Sequence, residues 1–82
     1  MEGLVNYARN IDGVEVGMLF KVTEDGSVKV SLRSAGSADV AAIAQSFGGG
    51  GHVRAAGCRL AGPLQDAMGA VVDTVRKALQ AS

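Results

Sequence analysis

The sequence predicts an α+β (mixed α/β) domain: a small sheet of at least three strands, helices packed on it, and a glycine-rich loop before a short helix. Three observations predict it. Residues 14–22 and 28–33 alternate apolar with polar, the period of half-buried strands. Residues 37–47 and 63–79 carry apolar side chains at helical spacing. Between them runs Phe47-Gly48-Gly49-Gly50-Gly51-His52, closing on Ala55-Ala56-Gly57. Consecutive glycines are poor helix and strand material, because glycine loses the most backbone freedom on folding.

The N-terminal segment 2–10 has the weakest pattern; Leu4, Val5 and Ala8 suit one face of a helix, with Tyr7 packing on the sheet. The first clear strand points Val14, Val16, Met18, Phe20 and Val22 one way, and Glu15, Gly17, Leu19 and Lys21 the other. The second sets Val28, Val30 and Leu32 against Lys29, Ser31 and Arg33. Glu24-Asp25-Gly26 joins them, and register decides the loop length. A two-residue turn would pair Val22 with Lys29, apolar against polar throughout. A three-residue loop pairs Val22 with Val28, Phe20 with Val30 and Met18 with Leu32, so the second register is expected. It puts Gly26 at the left-handed position of a bulged hairpin loop and Gly17 opposite Arg33, leaving room for Arg33 to lie across the sheet.

Ser37 is expected to cap the next helix, with Asp39 in its first turn. Val40, Ile43, Ala44 and Phe47 form its apolar face, and Gly48 ends it. After the glycines, His52 to Ala56 read as a short helical turn stopped by Gly57. Cys58 to Ala61 read as a strand, with Cys58 and Leu60 inward and Cys58 a small core residue. Gly62-Pro63 opens the last helix, with Pro63 at its first position. Its stripe is Leu64, Ala67, Met68, Val71, Val75, Ala78 and Leu79. Asp66 in the first turn and Arg76 and Lys77 in the last suit the helix dipole.

Eighty-two residues allow one domain, 1–82, and a 48% apolar content is enough for a core. Eight acidic residues balance eight basic ones. That argues against a long electrostatic footprint on duplex nucleic acid and leaves a local phosphate site open. Cys58 is the single cysteine, so neither an intramolecular disulfide nor a cysteine zinc cluster is possible. No apolar run has the length of a membrane span, and Met1-Glu2-Gly3 does not begin a signal peptide. A cytoplasmic protein with no membrane partner is expected.

A glycine run followed by His52 and Arg54 suggests an anion site, most plausibly for phosphate: bare backbone N–H groups, a side-chain donor, then a cation. The alternative is a tight crossing of two chain segments. Ser31, Arg33 and Ser34 stand at the end of the second strand, where Arg33 can grip a phosphate with paired hydrogen bonds. Lys29, Arg54 and Arg59 read as plain surface charges. The run lacks the Lys-Ser/Thr of a P-loop and the spacing of a dinucleotide fold. No acid/histidine cluster has metal-ligand spacing, and no nucleophile has an identifiable base, so no catalytic or metal-binding residue is expected.

Ser31-Leu32-Arg33-Ser34, Asp39-Val40-Ala41, Ile43-Ala44 and the Phe47-to-Gly57 motif resemble the C-terminal, DHH-associated domain of DHH phosphoesterases. Within that superfamily they resemble the bifunctional oligoribonuclease and phosphoadenosine-phosphate phosphatase branch. Glu2 to Tyr7 and Ile11 to Val16 share the likeness, which covers nearly the whole chain. The resemblance implies a hydrolase in which an N-terminal DHH domain, absent here, holds manganese and cleaves phosphodiesters, exonuclease-like. The C-terminal domain holds a phosphate-bearing nucleotide or short single-stranded oligonucleotide. Carried over, the substrate-binding residues would be Arg33, Ser34, Gly48, Gly49, Gly50, Gly51 and His52. These 82 residues alone are then expected to be inactive. The alternative is a non-catalytic nucleic-acid or tRNA-binding module, such as the domain appended to alanyl-tRNA synthetases.

Overall fold

The structure, a computed structural model, describes residues 4–11, 13–36 and 38–80. Among them the elements run β1 (Leu4–Ile11), β2 (Val14–Val22), β3 (Ser27–Ala35), α1 (Val40–Gln45), β4 (Gly50–His52), β5 (Ala55–Ala61) and α2 (Leu64–Gln80). The fold is α+β. The strands form one sheet in the order β1-β2-β3-β5-β4, with every neighbouring pair antiparallel.

The β2–β3 hairpin has the register that its apolar stripes require. Val22 pairs with Val28, Phe20 with Val30, Met18 with Leu32 and Gly17 with Arg33. The loop closes through Gly26 N–H on the Thr23 carbonyl (3.0 Å) and Thr23 N–H on the Ser27 carbonyl (2.9 Å). Gly26 sits at φ +87°, a backbone conformation that a Cβ would strain. The Asp25 carboxylate accepts from the Thr23 hydroxyl and from the Ser27 N–H, the latter at 3.0 Å. These bonds, with the Thr23 hydroxyl first, hold the carboxyl down at about 2.

One face of the sheet is covered. Val16, Met18, Phe20, Val28, Val30, Leu32 and Cys58 meet Val40, Ile43 and Ala44 of α1 and Ala67, Val71 and Val75 of α2 in a single buried cluster. The short helix α1 lies over β4 and β5, and α2 over β2 and β1. Burial pushes the Cys58 thiol up, so it stays protonated and acts as a core residue. The opposite parity of the same strands, Lys21, Lys29, Ser31, Arg33 and Arg59, is exposed. The protein is thus a sheet with both helices on one side.

Four expectations change. Segment 4–11 is an edge strand, not a helix: Val5, Tyr7 and Arg9 pair with Phe20, Met18 and Val16 on the covered face. Its period of two was masked because one inward position is an arginine. Helix α1 begins at Val40, with Asp39 as its cap accepting from Ala42 N–H at 3.0 Å; Ser37 lies outside the described residues. His52 to Ala56 form no helical turn. They are a hairpin in which His52 pairs with Ala55 across Val53-Arg54. Its tip is tied down by Val40 N–H on the Val53 carbonyl (2.9 Å) and Ser34 N–H on the Arg54 carbonyl (3.0 Å). Finally, α2 starts one residue later than expected, its first turn closing on the Pro63 carbonyl, and Ala78 is exposed although Leu79 after it packs against the core.

The Asp25 bonds give the hairpin a pH signature. Its folded carboxyl titrates near 2 against 3.8 in the open chain. Its contribution is therefore complete above about pH 4 and disappears as pH falls towards 2. Urea unfolding of the wild type and of Asp25→Ala should show a gap at pH 6 that narrows progressively as pH falls from about 4 through 2. A gap that is unchanged, or that widens in acid, would contradict the assignment.

Candidate functional site

Strand alternation puts the chemistry on the uncovered face. Because Gly17 pairs with Arg33, Arg33 with Ala55, and Ala55 with His52, these residues form one row across β2, β3, β5 and β4. The next row is Leu19, Ser31, Gly57 and Gly50, and beyond it stands Lys21, Lys29 and Arg59. Two glycines in the middle row leave a furrow with no side chains on its floor.

That furrow contains two adjoining depressions. The first, about 350 Å³, is lined by Ser31, Arg33, Gly50, Gly51, Ala55 and Gly57, with Leu32 and Ala56 also bordering it. The second, about 370 Å³, is lined by Lys29, Ser31, Gly48, Gly49, Gly57 and Arg59. Ser31 and Gly57 belong to both. Arg33 lines the first depression and leaves the space above Gly17 empty: a Cβ there would meet nothing within 4 Å. The room expected opposite Arg33 is therefore present.

The glycine run performs four different tasks. Gly48, at φ +84°, stops α1 in a Schellman arrangement: its N–H bonds the Gln45 carbonyl (3.0 Å), and Gly49 N–H bonds the Ala44 carbonyl (2.8 Å). Gly49 passes so close to β5 that a Cβ would collide with the Gly57 carbonyl oxygen and stand 2.8 Å from Cys58 Cα. Gly51 is at φ +146°, where a Cβ would come within 2.6 Å of Ala56 Cα. Gly50 alone has neither a positive φ nor a neighbour in the way. The fold accounts for three of the four glycines, and the fourth opens its bare backbone to the first depression.

Of the residues singled out from sequence, Arg33, Gly50 and Gly51 meet in one depression, and Gly48 and Gly49 border the other. His52 is exposed at the end of β4 in the Arg33 row, two strands away, beside that depression and not in its lining. No helix follows it, so no dipole acts on it. Ser34 alternates onto the covered face opposite Val16, with its Oγ buried and without a partner, and its side chain does not share the furrow. Lys29 and Arg59, first read as plain surface charges, stand together in the second depression. The signal that finds them is strand parity: Lys29, Ser31 and Arg33 share a face, and Cys58 facing inward turns Arg59 outward. Among the described residues, no three histidine, cysteine or acidic side chains gather to hold a metal, so no residue here is assigned to one.

The model of the DHHA1 domain family matches residues 1–81. A bifunctional oligoribonuclease and PAP phosphatase from Thermus thermophilus is 42% identical over 78 residues. The match covers 94% of this chain and 23% of that relative, so the chain spans about a quarter of the relative's length.

Adjacent glycines in the run should respond oppositely to a methyl group. Gly49→Ala forces β4 away from β5 and should destabilise the protein by about 1–3 kcal/mol. Gly50→Ala meets open space and should change stability by less than about 1 kcal/mol, in the stabilising direction. Urea midpoints of the two variants check this; equal losses would refute the division of tasks.

Proposed function

Since the chain belongs to the DHHA1 family, we propose that it is the substrate-holding domain of a DHH-type phosphoesterase, binding phosphate-bearing nucleotides on its uncovered sheet face. The observation that carries the reading is Arg33 beside the glycine-floored depression. A guanidinium offers a planar fork of donors that matches two phosphate oxygens. Ser31 adds a hydroxyl, and the bare backbone at Gly50 and Gly57 lets a flat group come close. His52 stands in reach of a ligand that extends past Ala55 towards the sheet edge. The Thermus relative's name, an oligoribonuclease and PAP phosphatase, supports short oligonucleotides and nucleoside bisphosphates as the substrate class.

In this proposal the chain positions and the partner domain cleaves. Hydrolysis, with manganese as the metal, belongs to an N-terminal DHH domain of the parent protein working in the cytoplasm as an exonuclease. This chain supplies orientation: a phosphate fixed at Arg33 sets how far the scissile bond reaches from the sheet.

Titration of the 82-residue chain with adenosine 3′,5′-bisphosphate, followed by amide shifts, tests the reading. Charge-assisted hydrogen bonds contribute about 1.5–3 kcal/mol each, so Arg33→Ala should weaken binding roughly ten- to a hundredfold. His52→Ala should weaken it less, and Arg76→Ala, on the far side in α2, should leave it unchanged. If Arg33→Ala binds as tightly as the Arg76→Ala control, the proposal fails.

A further inference from the structure

We infer that the second depression, between Lys29 and Arg59, is a site for a further phosphate of a bound oligonucleotide, so that the sheet face senses substrate length. The inference rests on the proposed function for its ligand class and on separate residues for its argument.

Lys29 pairs directly with Arg59 across β3 and β5, and with Lys21 across β3 and β2. Like charges set opposite each other on a sheet repel and cost stability. A surface that serves only the fold would alternate their signs. Here the two side chains flank a depression instead of lying on flat sheet, and its floor is the backbone of Gly48, Gly49 and Gly57. Among the described residues, Asp25 lies close enough for its carboxyl to feel Arg59, and it is already engaged by Thr23 and Ser27. A cationic pair above a bare backbone floor suits one tetrahedral anion.

Continuity fixes which anion. The depression adjoins the Arg33 depression, the two sharing Ser31 and Gly57 in their linings. Arg33 and Lys29 are four residues apart on one strand, about 13 Å at the usual rise. Two separated cationic stations along one furrow fit a chain of phosphates and not a single compact group. A nucleoside monophosphate fills the Arg33 station only, and a 5′-phosphorylated oligoadenylate reaches both. Because the face is open, the electrostatic part of the added affinity is sensitive to salt.

The test titrates the 82-residue chain with AMP and with 5′-phosphorylated triadenylate, in the wild type, Arg33→Ala, the pair Lys29→Ala/Arg59→Ala, and the charge-keeping pair Lys29→Arg/Arg59→Lys. The wild type should bind the triadenylate at least tenfold more tightly than AMP. The double alanine variant should lose that gain while holding AMP within twofold, and its triadenylate salt slope should fall by about 0.7. The charge-keeping pair should retain the gain. A wild type with no gain, or a double alanine variant that keeps it, overturns the inference. If Arg33→Ala leaves AMP binding intact while the double variant still loses the gain, the Arg33 reading fails and the second station stands. Thermal unfolding of each variant separates loss of the site from loss of the fold.

Discussion

Register in the β2–β3 hairpin is the constraint on which everything else in this protein depends. The apolar stripes Val16-Met18-Phe20 and Val28-Val30-Leu32 must share a face, and a slip of one residue would turn one whole stripe out to solvent. Burial of each such side chain contributes about 1.5–3 kcal/mol, so the alternative register is far out of reach. Once the stripes face α1 and α2, parity leaves Lys29, Ser31 and Arg33 no option but the uncovered face. The strand that anchors the core therefore also presents the cations Lys29 and Arg33, each two residues from the Ser31 hydroxyl. Binding residues on a central strand are held with little freedom, which a loop at the sheet edge would not provide.

The glycine run extends this logic to the other side of β3. It carries the chain from the end of α1 into an edge strand within a very short distance. Gly48 turns the helix off, and Gly49 and Gly51 let β4 lie against β5 at a separation that a Cβ would prevent. The resulting β4–β5 hairpin widens the sheet beyond β3, so that Arg33 stands at the centre of a face and not at its rim. Of the two readings open to a glycine run, packing accounts for three positions, and open space is left at the fourth. Three glycines answer to the backbone of the fold, and Gly50 borders the open depression.

Most of the fold was legible because most of it is periodic. The β2–β3 hairpin, its three-residue loop, the buried face of α1 and the stripe of α2 all follow from spacing in the sequence. β1 was not, because Arg9 occupies a position on the covered face and breaks the alternation that marks a strand. β4 was not, because a strand of three residues, two of them glycine, has no side-chain pattern to read; its identity comes from β5, which is tertiary context. The site shows the same division. Arg33 and the glycines could be named from sequence, and the structure puts Arg33, Gly50 and Gly51 together. Ser34 is adjacent to Arg33 in sequence and on the opposite face in space, which strand alternation alone would have indicated. Lys29 and Arg59 look like ordinary surface charges until pairing sets them side by side.

A formal net charge of zero conceals how unevenly the charges are placed. Three acids serve local structure: Asp25 closes the hairpin loop, Asp39 caps α1, and Asp73 pairs with Arg76 and Lys77 on the outer surface of α2. Asp73 is accordingly held below the usual carboxylate range, by Arg76 first and Lys77 second. On the furrowed face, by contrast, Lys29, Arg33 and Arg59 carry their charge around a glycine-rich floor, and among the described residues of β2 Glu15 is the acid of matching parity, at its far end. Exposed cations of this kind hold an anion weakly in water, because the solvent's high dielectric screens each contact. The same contacts strengthen steeply once a second surface closes over them and excludes water. Under the proposed function, a face that is rigid, cationic and open on one side is what a holding domain needs. It can release its ligand alone and grip it when the cleaving domain arrives, so affinity and the cleaving geometry come together.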